Sequence, residues 1–163
     1  MLTHQTGIAF ATPADLVPLA RLSRDEVEQG HGWRYTPQHL AWIMRHPRKN
    51  LVVARVGERL AGFGVMTYGG HQANLDLLAV RPAFRRRRVG TQLVEWLVEV
   101  ALIGGLYNVY VQVRAGNADA LAFYRKLGFR QLDHLPGYYS GVESAVLLAR
   151  TLRSNFRGLR LAR

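Results

Sequence analysis

Apolar residues in the middle of the chain change their spacing, and each spacing predicts a different element. Residues 75–80 form a largely apolar run, long enough for one buried strand, and Arg81-Pro82 ends it because proline has no N–H for a ladder. After a run of arginines, apolar residues recur at 93, 94, 97, 98, 101 and 102, which is helical spacing. Strand, basic turn with a glycine, and helix in this order predict a phosphate site, since the first helix turn has free N–H groups and the positive dipole end.

Two further helices are predicted by a shared start signal. Thr12-Pro13 and Thr36-Pro37 each place a threonine at the N-cap and a proline at the first helical position. Gly30-His31-Gly32 breaks the first helix, and His46-Pro47 ends the second. A short strand is predicted before them, at residues 8–10.

The remaining strand candidates are residues 51–56, 60–66, 107–113, 129–132 and 142–148. The first two flank Gly57-Glu58-Arg59 and predict a β-hairpin, and the last two are joined across residues 136–141. A helix is predicted from about Asn117 to Gly128. The order of elements predicts an α+β fold with mostly antiparallel strands and one strand–helix–strand crossover.

The composition indicates a globular chain. With 163 residues, 48% of them hydrophobic, we expect one domain over residues 1–152 and a basic tail over residues 153–163. The sequence contains no apolar run of the ~18 residues that span a membrane and no signal-peptide pattern, so we expect a cytoplasmic protein. The absence of cysteine excludes disulfides and thiol chemistry, and the six histidines lack the paired spacing of a metal site, so we expect no metal.

The charge is strongly positive, with 22 Lys and Arg against 11 Asp and Glu. Such a chain is suited to nucleic acid, to a ribosome or to small anionic ligands. Five arginines fall in the last 14 residues, where there is no acid, so proximity to a ribosome through this tail is one interpretation. A phosphorylated ligand accounts for only part of the excess.

Two motifs carry a resemblance to a known family. Arg85-Arg86-Arg87-Arg88-Val89-Gly90 resembles the R-x-x-G-x-G/A pyrophosphate loop of the GNAT superfamily of acyl-CoA-dependent N-acyltransferases. Asn117-(x)6-Tyr124-Arg125-Lys126-Leu127-Gly128-Phe129 resembles its second signature, and the similarity covers residues 51–152. Arg88 stands where the family has its first loop glycine, so it either adds charge there or forces a non-glycine backbone. The alternative is a solvated charge run or a nucleic-acid patch.

The resemblance implies an α/β/α sandwich, with helices on both faces of a twisted sheet, and acetyl-CoA as the acyl donor. The implied donor-binding residues are Leu78, Ala79, Val80, Arg85, Arg86, Arg87, Arg88, Val89, Gly90, Thr91, Asn117 and Tyr124. Within this set, backbone N–H groups of residues 78–80 polarise the thioester carbonyl, and residues 85–91 hold the pyrophosphate. Asn117 holds the pantetheine arm, and Tyr124 donates a proton or hydrogen bond to the leaving sulfur. An ordinary helix aromatic is the alternative for Tyr124.

The acceptor amine needs a base, because at pH 7 it is mostly ammonium. The nearest subgroup resemblance is to ribosomal-protein alanine N-acetyltransferases and other N-terminal acetyltransferases, whose bacterial members have a glutamate where this chain has Gln112. Asn74 likewise stands where histone-type members carry a base glutamate. Asp76, which interrupts an apolar strand, is the strongest substitute, with Gln112 orienting a water. Weaker substitutes are Glu28, His31 and His134, for each of which a solvated loop residue is the alternative. The alternative for Asp76 is an acid at the edge of the sheet, paired with an arginine.

Three functions stay open. The first is acetylation of a protein or peptide N-terminus, with Tyr138 and Tyr139 flanking the peptide and the loop of Trp33 and Tyr35 closing the other side. The second is the same chemistry on a small amine such as an amino acid, a polyamine or an antibiotic. The third is a CoA-binding or ribosome-binding module without turnover.

Overall fold

The computed structural model describes residues 5–152, so the expected basic tail at residues 153–163 lies outside the described residues. The strands are β1 (Thr6–Phe10), β2 (Lys49–Val56), β3 (Arg59–Gly69), β4 (Gln72–Val80), β5 (Asn108–Arg114), β6 (Arg130–Tyr139) and β7 (Glu143–Thr151). The α-helices are α1 (Leu16–Glu26), α2 (Pro37–Arg45), α3 (Val89–Ile103) and α4 (Ala118–Lys126). Short 3-10 turns at Pro13–Asp15 and Pro82–Phe84 precede α1 and α3.

The strands form one sheet in the order β1-β2-β3-β4-β5-β7-β6. The pairs β1–β2, β2–β3, β5–β7 and β6–β7 are antiparallel. The hairpin predicted around Gly57-Glu58-Arg59 is confirmed as β2–β3, with a register shift between Ala54 and Arg55. A mixed α+β fold with a mostly antiparallel sheet is therefore the correct class.

The chain divides into two compact units. The first contains the described residues up to Thr67 together with Leu75–Leu97. In this unit α1 and α2 bury their apolar faces against β2 and β3, and the fully buried side chains of the cluster include Leu19, Leu40 and Phe63. The second unit contains Tyr68–Asn74 and the described residues from Val98 onward.

Both predicted threonine N-caps are present, but only one starts an α-helix directly. The Thr36 hydroxyl accepts a hydrogen bond from the backbone N–H of His39 (3.2 Å) at the start of α2. Thr12 instead caps the 3-10 turn, where the Asp15 carboxylate accepts a hydrogen bond from the Thr12 backbone N–H (2.8 Å). The helix α1 begins only after this turn, at Leu16. Asp15 also pairs with Arg55, which ties this turn to β2.

Strand β6 is longer than predicted. It runs through Pro136 and Gly137, which we expected in the connection between the last two strands. The proline is tolerated because β6 is an edge strand that pairs only with β7, so a missing N–H removes no second ladder. Three residues of β6 lie between the pairs Leu135↔Ala145 and Tyr139↔Glu143, against one of β7, and Gly137 has a φ of 63° within this bulge.

A buried carboxylate fixes the connection between α1 and α2. Glu28, only 9% exposed, accepts hydrogen bonds from the Ser23 hydroxyl (2.9 Å) and from the backbone N–H groups of Arg34 (2.6 Å) and Tyr35 (3.1 Å). A glutamate is rarely buried unless it is paired in this way. Glu28 is a weak candidate base by sequence, and these contacts give it a structural role instead.

The loop before α3 has an unusual backbone. Arg86 and Arg88 have φ values of 60° and 63°, while Arg87 between them has a negative φ. The Arg88 carbonyl accepts from the N–H of Gln92 (3.0 Å), so helical hydrogen bonding begins at this residue. A left-handed conformation costs an L-residue with a Cβ roughly 1–2 kcal/mol and costs glycine almost nothing. Arg88 therefore holds a glycine-like backbone without being glycine.

Glu28→Ala should lower the free energy of unfolding by about 3 kcal/mol, because a buried donor without a partner costs about 1–3 kcal/mol and three donors lose their acceptor. Urea denaturation measures the change. Glu58→Ala, at an exposed turn position, is the matched control and should change stability by less than about 0.5 kcal/mol. Equal effects of the two substitutions would contradict a structural role for Glu28.

Arg88→Gly should leave the free energy of unfolding unchanged or raise it by about 1 kcal/mol, because it relieves the left-handed conformation. Arg87→Gly should lower it by about 0.4–1 kcal/mol, because there glycine only adds freedom to the unfolded chain. Thermal unfolding of the two variants side by side gives the comparison. A larger loss for Arg88→Gly than for Arg87→Gly would rule out the left-handed backbone at residue 88.

Candidate functional site

The basic loop of the first unit, residues 85–88, is anchored by contacts of Phe84 and Arg85 and has exposed side chains. Phe84, 2% exposed, anchors it, with the guanidinium groups of Arg59 and Arg87 at 4.8 and 5.7 Å from its ring centroid. Arg85 pairs with Glu26 at the end of α1 (2.7 Å) and donates from Nε to the Val80 carbonyl (3.3 Å). The side chains of residues 85–88 are all exposed, so an anion can reach them.

Three features of this loop suit a diphosphate. Left-handed residues alternate along the loop at Arg86 and Arg88, and backbone of this kind forms the concave turns whose N–H groups bind anions. The first turn of α3 follows at once, beginning with Val89, Gly90 and Thr91, and adds free N–H groups and the positive end of its dipole. Four arginines supply the charge. Arg88 therefore adds its charge to the loop while its backbone stays glycine-like, with a φ of 63°.

The end of β4 lies against β3 without space between the backbones. A Cβ on Gly62 would lie 2.6 Å from the Ala79 carbonyl oxygen, and the N–H of Arg81 donates to the Ala61 carbonyl (2.8 Å). The Ala79 side chain is 3% exposed, whereas Leu78 and Val80 are half-buried. The three residues expected to polarise a thioester thus belong to a strand whose position is fixed by close contact with its neighbour.

Tyr124 lies in α4 of the second unit and is 5% exposed. Its ring makes edge contacts with Phe123 and Phe129, with centroids 5.0 and 5.4 Å apart. Burial, with a smaller contribution from Tyr139, raises the pKa of its phenol well above the ordinary tyrosine value. The phenol is therefore protonated at neutral pH, which allows it to donate a proton or a hydrogen bond.

Asn117 is exposed and caps α4. Its Oδ1 accepts from the backbone N–H of Ala120 (3.1 Å), which confirms the predicted helix start. The carboxamide also carries two N–H donors on Nδ2, separate from the capping oxygen. A cap and a ligand contact are therefore compatible at this residue.

The two amides that replace family glutamates lie in contact. Gln112 in β5 donates from Nε2 to Oδ1 of Asn74 in β4 (3.1 Å), and both side chains are half-buried in the second unit. Carboxamides do not take up a proton at neutral pH. The pair can orient a polar group, but it cannot supply general-base catalysis.

The predicted tyrosine pair lies at the end of the β6–β7 hairpin. Tyr138 is 52% exposed and meets Tyr139 edge-on, with centroids 5.0 Å apart. The Tyr139 hydroxyl donates to the backbone carbonyl of Gln112 (3.4 Å), and the Arg114 guanidinium lies 5.5 Å from its ring centroid. Burial first, then Tyr138, raises the pKa of Tyr139 to about 12, against the opposing charge of Arg114. The Tyr139 ring is thus held in place and uncharged at neutral pH, and it packs beside the exposed ring of Tyr138.

Asp76 has partners that the sequence did not indicate. Its carboxylate accepts from the Thr67 hydroxyl, and the Lys49 ammonium lies 3.5 Å from it. Its side chain is 22% exposed. The ladder explains part of this contact, because Lys49 of β2 lies opposite Thr67 of β3.

The loop between α1 and α2 places its two aromatic residues differently. Trp33 is 41% exposed, donates from Nε1 to the Ala20 carbonyl (3.1 Å) and has the Arg24 guanidinium 5.4 Å from its ring centroid. Tyr35 is 9% exposed and belongs to the core of the first unit. If this loop closes one side of the acceptor site, as expected, Trp33 is the ring that it exposes there. His134, another weak candidate base, is exposed on the edge strand β6.

Two classes of site have no support in the described residues. The part of the chain from residue 5 to residue 152 contains no group of three His, Cys, Asp or Glu side chains that could hold a metal ion. Among the helices described, none is long and apolar enough to cross a membrane.

Comparison with known proteins agrees with these motifs. The family model described as "Acetyltransferase (GNAT) family" matches residues 16–129. The [ribosomal protein bS18]-alanine N-acetyltransferase of Salmonella typhimurium is 35% identical over 95 residues, which cover 56% of this chain and 64% of that protein. The N-alpha-acetyltransferase of Saccharolobus solfataricus is 37% identical over 78 residues, 46% of each chain. These alignments thus span less than two thirds of each relative.

A solved structure shows the same fold over most of its length. Ard1 from Thermoplasma volcanium superposes with a TM-score of 0.81 at 26% identity, covering 91% of this chain and 99% of that one. The matched segment of the family model includes both the basic loop and the signature that contains Tyr124. The chain therefore belongs to the GNAT family of acetyltransferases.

Proposed function

We propose that the protein is an acetyl-CoA-dependent N-acetyltransferase whose acceptor is the α-amine of a protein or peptide N-terminus. The observation that carries the proposal is the buried, protonated Tyr124 within the family's second signature. The acceptor class is supported by the two relatives, whose names state acetylation of a ribosomal-protein alanine and of N-terminal α-amines. A ribosomal acceptor would place the enzyme in the cytoplasm, near ribosomes.

In this proposal the donor is held through its phosphates and its carbonyl. The loop of residues 85–88, with Val89, Gly90 and Thr91 of α3, binds the diphosphate through backbone N–H groups and arginine charge. Backbone N–H groups of residues 78–80 polarise the thioester carbonyl. The Nδ2 group of Asn117 contacts the pantetheine arm.

The transfer itself is a direct attack in a ternary complex. The neutral amine nitrogen attacks the thioester carbonyl carbon and the C–S bond breaks. The proton that the nitrogen loses as the amide forms passes to solvent, which in turn restores the Tyr124 phenol after it has protonated the thiolate. The Tyr124 phenol gives its proton to the leaving thiolate, which becomes the CoA thiol. Because burial raises the pKa of Tyr124, the phenol carries its proton at neutral pH when the thiolate leaves.

Removal of the ammonium proton falls to another group. Gln112 and Asn74 cannot accept it, so we assign this step to Asp76, directly or through a water. Thr67 and Lys49 hold the Asp76 carboxylate in a defined position, as a base or water holder requires. The structural alternative is that this ion pair only stabilises three neighbouring strands.

One specific comparison favours a small-amine acceptor as the second candidate. Nourseothricin acetyltransferase, named for an antibiotic, superposes with a TM-score of 0.63 at 27% identity over 66% of this chain. The exposed ring of Tyr138 suits a small polar ligand as well as a peptide.

An acceptor panel tests the function. Wild-type protein and acetyl-CoA are incubated with peptides bearing a free amino-terminal alanine, with the same peptides blocked at the N-terminus and carrying a lysine, and with spermidine and nourseothricin. Mass spectrometry should find acetyl groups on the free α-amines at the highest rate. Faster acetylation of the small amines would replace the first candidate with the second, and acetyl-CoA binding without any turnover would leave only a binding module.

Tyr124→Phe should lower kcat by about 10²–10⁴-fold and leave acetyl-CoA affinity unchanged, because only the proton donor is removed. Steady-state rates with the best acceptor, together with a CoA titration, provide the measurement. Tyr107→Phe, in the same unit but in ring contact with His71, is the matched control and should retain wild-type kcat. An unchanged kcat in Tyr124→Phe with chemistry rate-limiting would exclude Tyr124 from proton transfer.

Asp76→Asn should lower kcat/KM by about 10²-fold or more, because the group that takes up the ammonium proton is lost, with little change in acetyl-CoA affinity. Lys49→Ala breaks the same ion pair but keeps the carboxylate, so it should lower kcat/KM far less. Gln112→Glu restores a carboxylate on β5 and should raise turnover. If Asp76→Asn keeps wild-type kcat/KM and Gln112→Glu has no effect, Asp76 is a structural residue and the enzyme selects the neutral fraction of the amine.

A further inference from the structure

Helix α2 carries a stripe of rings that acetyl transfer does not use. This α2 ring stripe consists of Tyr35, His39, Trp42 and His46, and successive ring centroids are 5.6, 5.6 and 4.8 Å apart. The sequence separations of four, three and four residues place these rings along one side of the helix. Contacts between neighbours on a helix stabilise it by only a few tenths of a kcal/mol, which does not require a tryptophan.

The stripe rises from the core to the surface. Tyr35 is 9% exposed and packed in the core of the first unit, whereas Trp42 is 49% exposed. The Trp42 indole contacts the rings of His39 and His46, which restrict its movement, while about half of its surface faces solvent. A large flat ring held in this way is suited to stacking against another flat ring.

Positive charge surrounds the exposed indole. The Lys49 ammonium lies 5.8 Å from the Trp42 ring centroid, and Arg34 lies over Tyr35 at 5.9 Å. Arg45 and Arg48 are exposed at and just beyond the end of the helix. Burial, followed by the charges of Arg34 and Lys49, lowers the pKa of His39 below its ordinary value, which indicates a positive local field.

The nearby acids are already engaged. Glu28 accepts hydrogen bonds from the Ser23 hydroxyl and two backbone N–H groups. Its charge raises the pKa of His39, but this is the smallest of the contributions to that pKa. Asp76 accepts from Thr67 and lies 3.5 Å from Lys49. The surface around Trp42 therefore combines an open aromatic face with excess cationic charge.

The geometry points to a binding surface for single-stranded nucleic acid on this face of α2, where a base stacks on Trp42 and flanking phosphates pair with Arg45 and Arg48. Proteins that bind single strands without sequence preference combine aromatic platforms with basic side chains in this manner. The carboxylates of an acidic peptide would pair with the cationic side chains but would not stack on the exposed indole. Trp42, Arg45 and Arg48 have no role in the proposed acetyl transfer, so the surface they form can be tested separately from that reaction.

The test is fluorescence anisotropy of a labelled 12-nucleotide oligouridylate with the full chain at low salt. Trp42→Ala should weaken binding by about tenfold or more, because a stacked base is lost, while Trp42→Phe, which keeps a ring, should stay within about threefold of wild type. Arg48→Glu should weaken binding and reduce the slope of log affinity against log salt by at least one phosphate contact. Both Trp42→Ala and Arg48→Glu should retain wild-type acetyl-CoA affinity.

Trp33→Ala is the matched control, since Trp33 has similar exposure and also lies beside an arginine. It should bind the oligonucleotide as wild type does. Wild-type affinity in Trp42→Ala would overturn the proposal, as would a loss of the same size in Trp33→Ala. Competition by polyglutamate as strong as that by unlabelled oligouridylate would also overturn it and indicate an acidic protein partner.

Discussion

The first turn of α3 and the loop that leads into it impose the constraint on which the rest of the proposed chemistry depends. Arg86 and Arg88 adopt left-handed backbone, and Arg88 begins the hydrogen bonding of the helix. This conformation is costly for residues with a Cβ, so the surrounding contacts must hold it. Buried Phe84 and the Arg85–Glu26 ion pair do so, and they leave an open cationic turn at the positive end of a helix dipole.

In the second unit, burial determines which groups can exchange protons. Tyr124 is enclosed by aromatic rings, and the same enclosure keeps its phenol protonated. Gln112 and Asn74 bind each other and cannot titrate. If Tyr124 is the proton donor, as we propose, the base must come from a residue other than Gln112 and Asn74, or the enzyme must select acceptors with a low amine pKa. An N-terminal α-amine, with a pKa near 8, is suited to either route better than lysine.

Much of the fold could be predicted because the signals were local. Thr36-Pro37 marks the start of α2, Asn117 caps α4, and the hairpin turn lies where Gly57 predicts it. The errors came from non-local effects. Pro136 is accepted in β6 only because that strand is at the edge of the sheet, which depends on strand order.

The candidate site was harder to predict because its partners are distant in sequence. The contact of Asp76 with Lys49 and Thr67 depends on a register that shifts between Ala54 and Arg55, and such a bulge has no clear signal in the sequence.

The most direct test of the central claim is calorimetric titration of acetyl-CoA into wild type, Gly90→Glu and, as a control, Gly7→Glu at an open position of β1. A glutamate in the first helix turn favours the helix, so folding should be kept while the diphosphate meets a negative charge. The account predicts at least tenfold weaker binding for Gly90→Glu alone; wild-type affinity in that variant would contradict it.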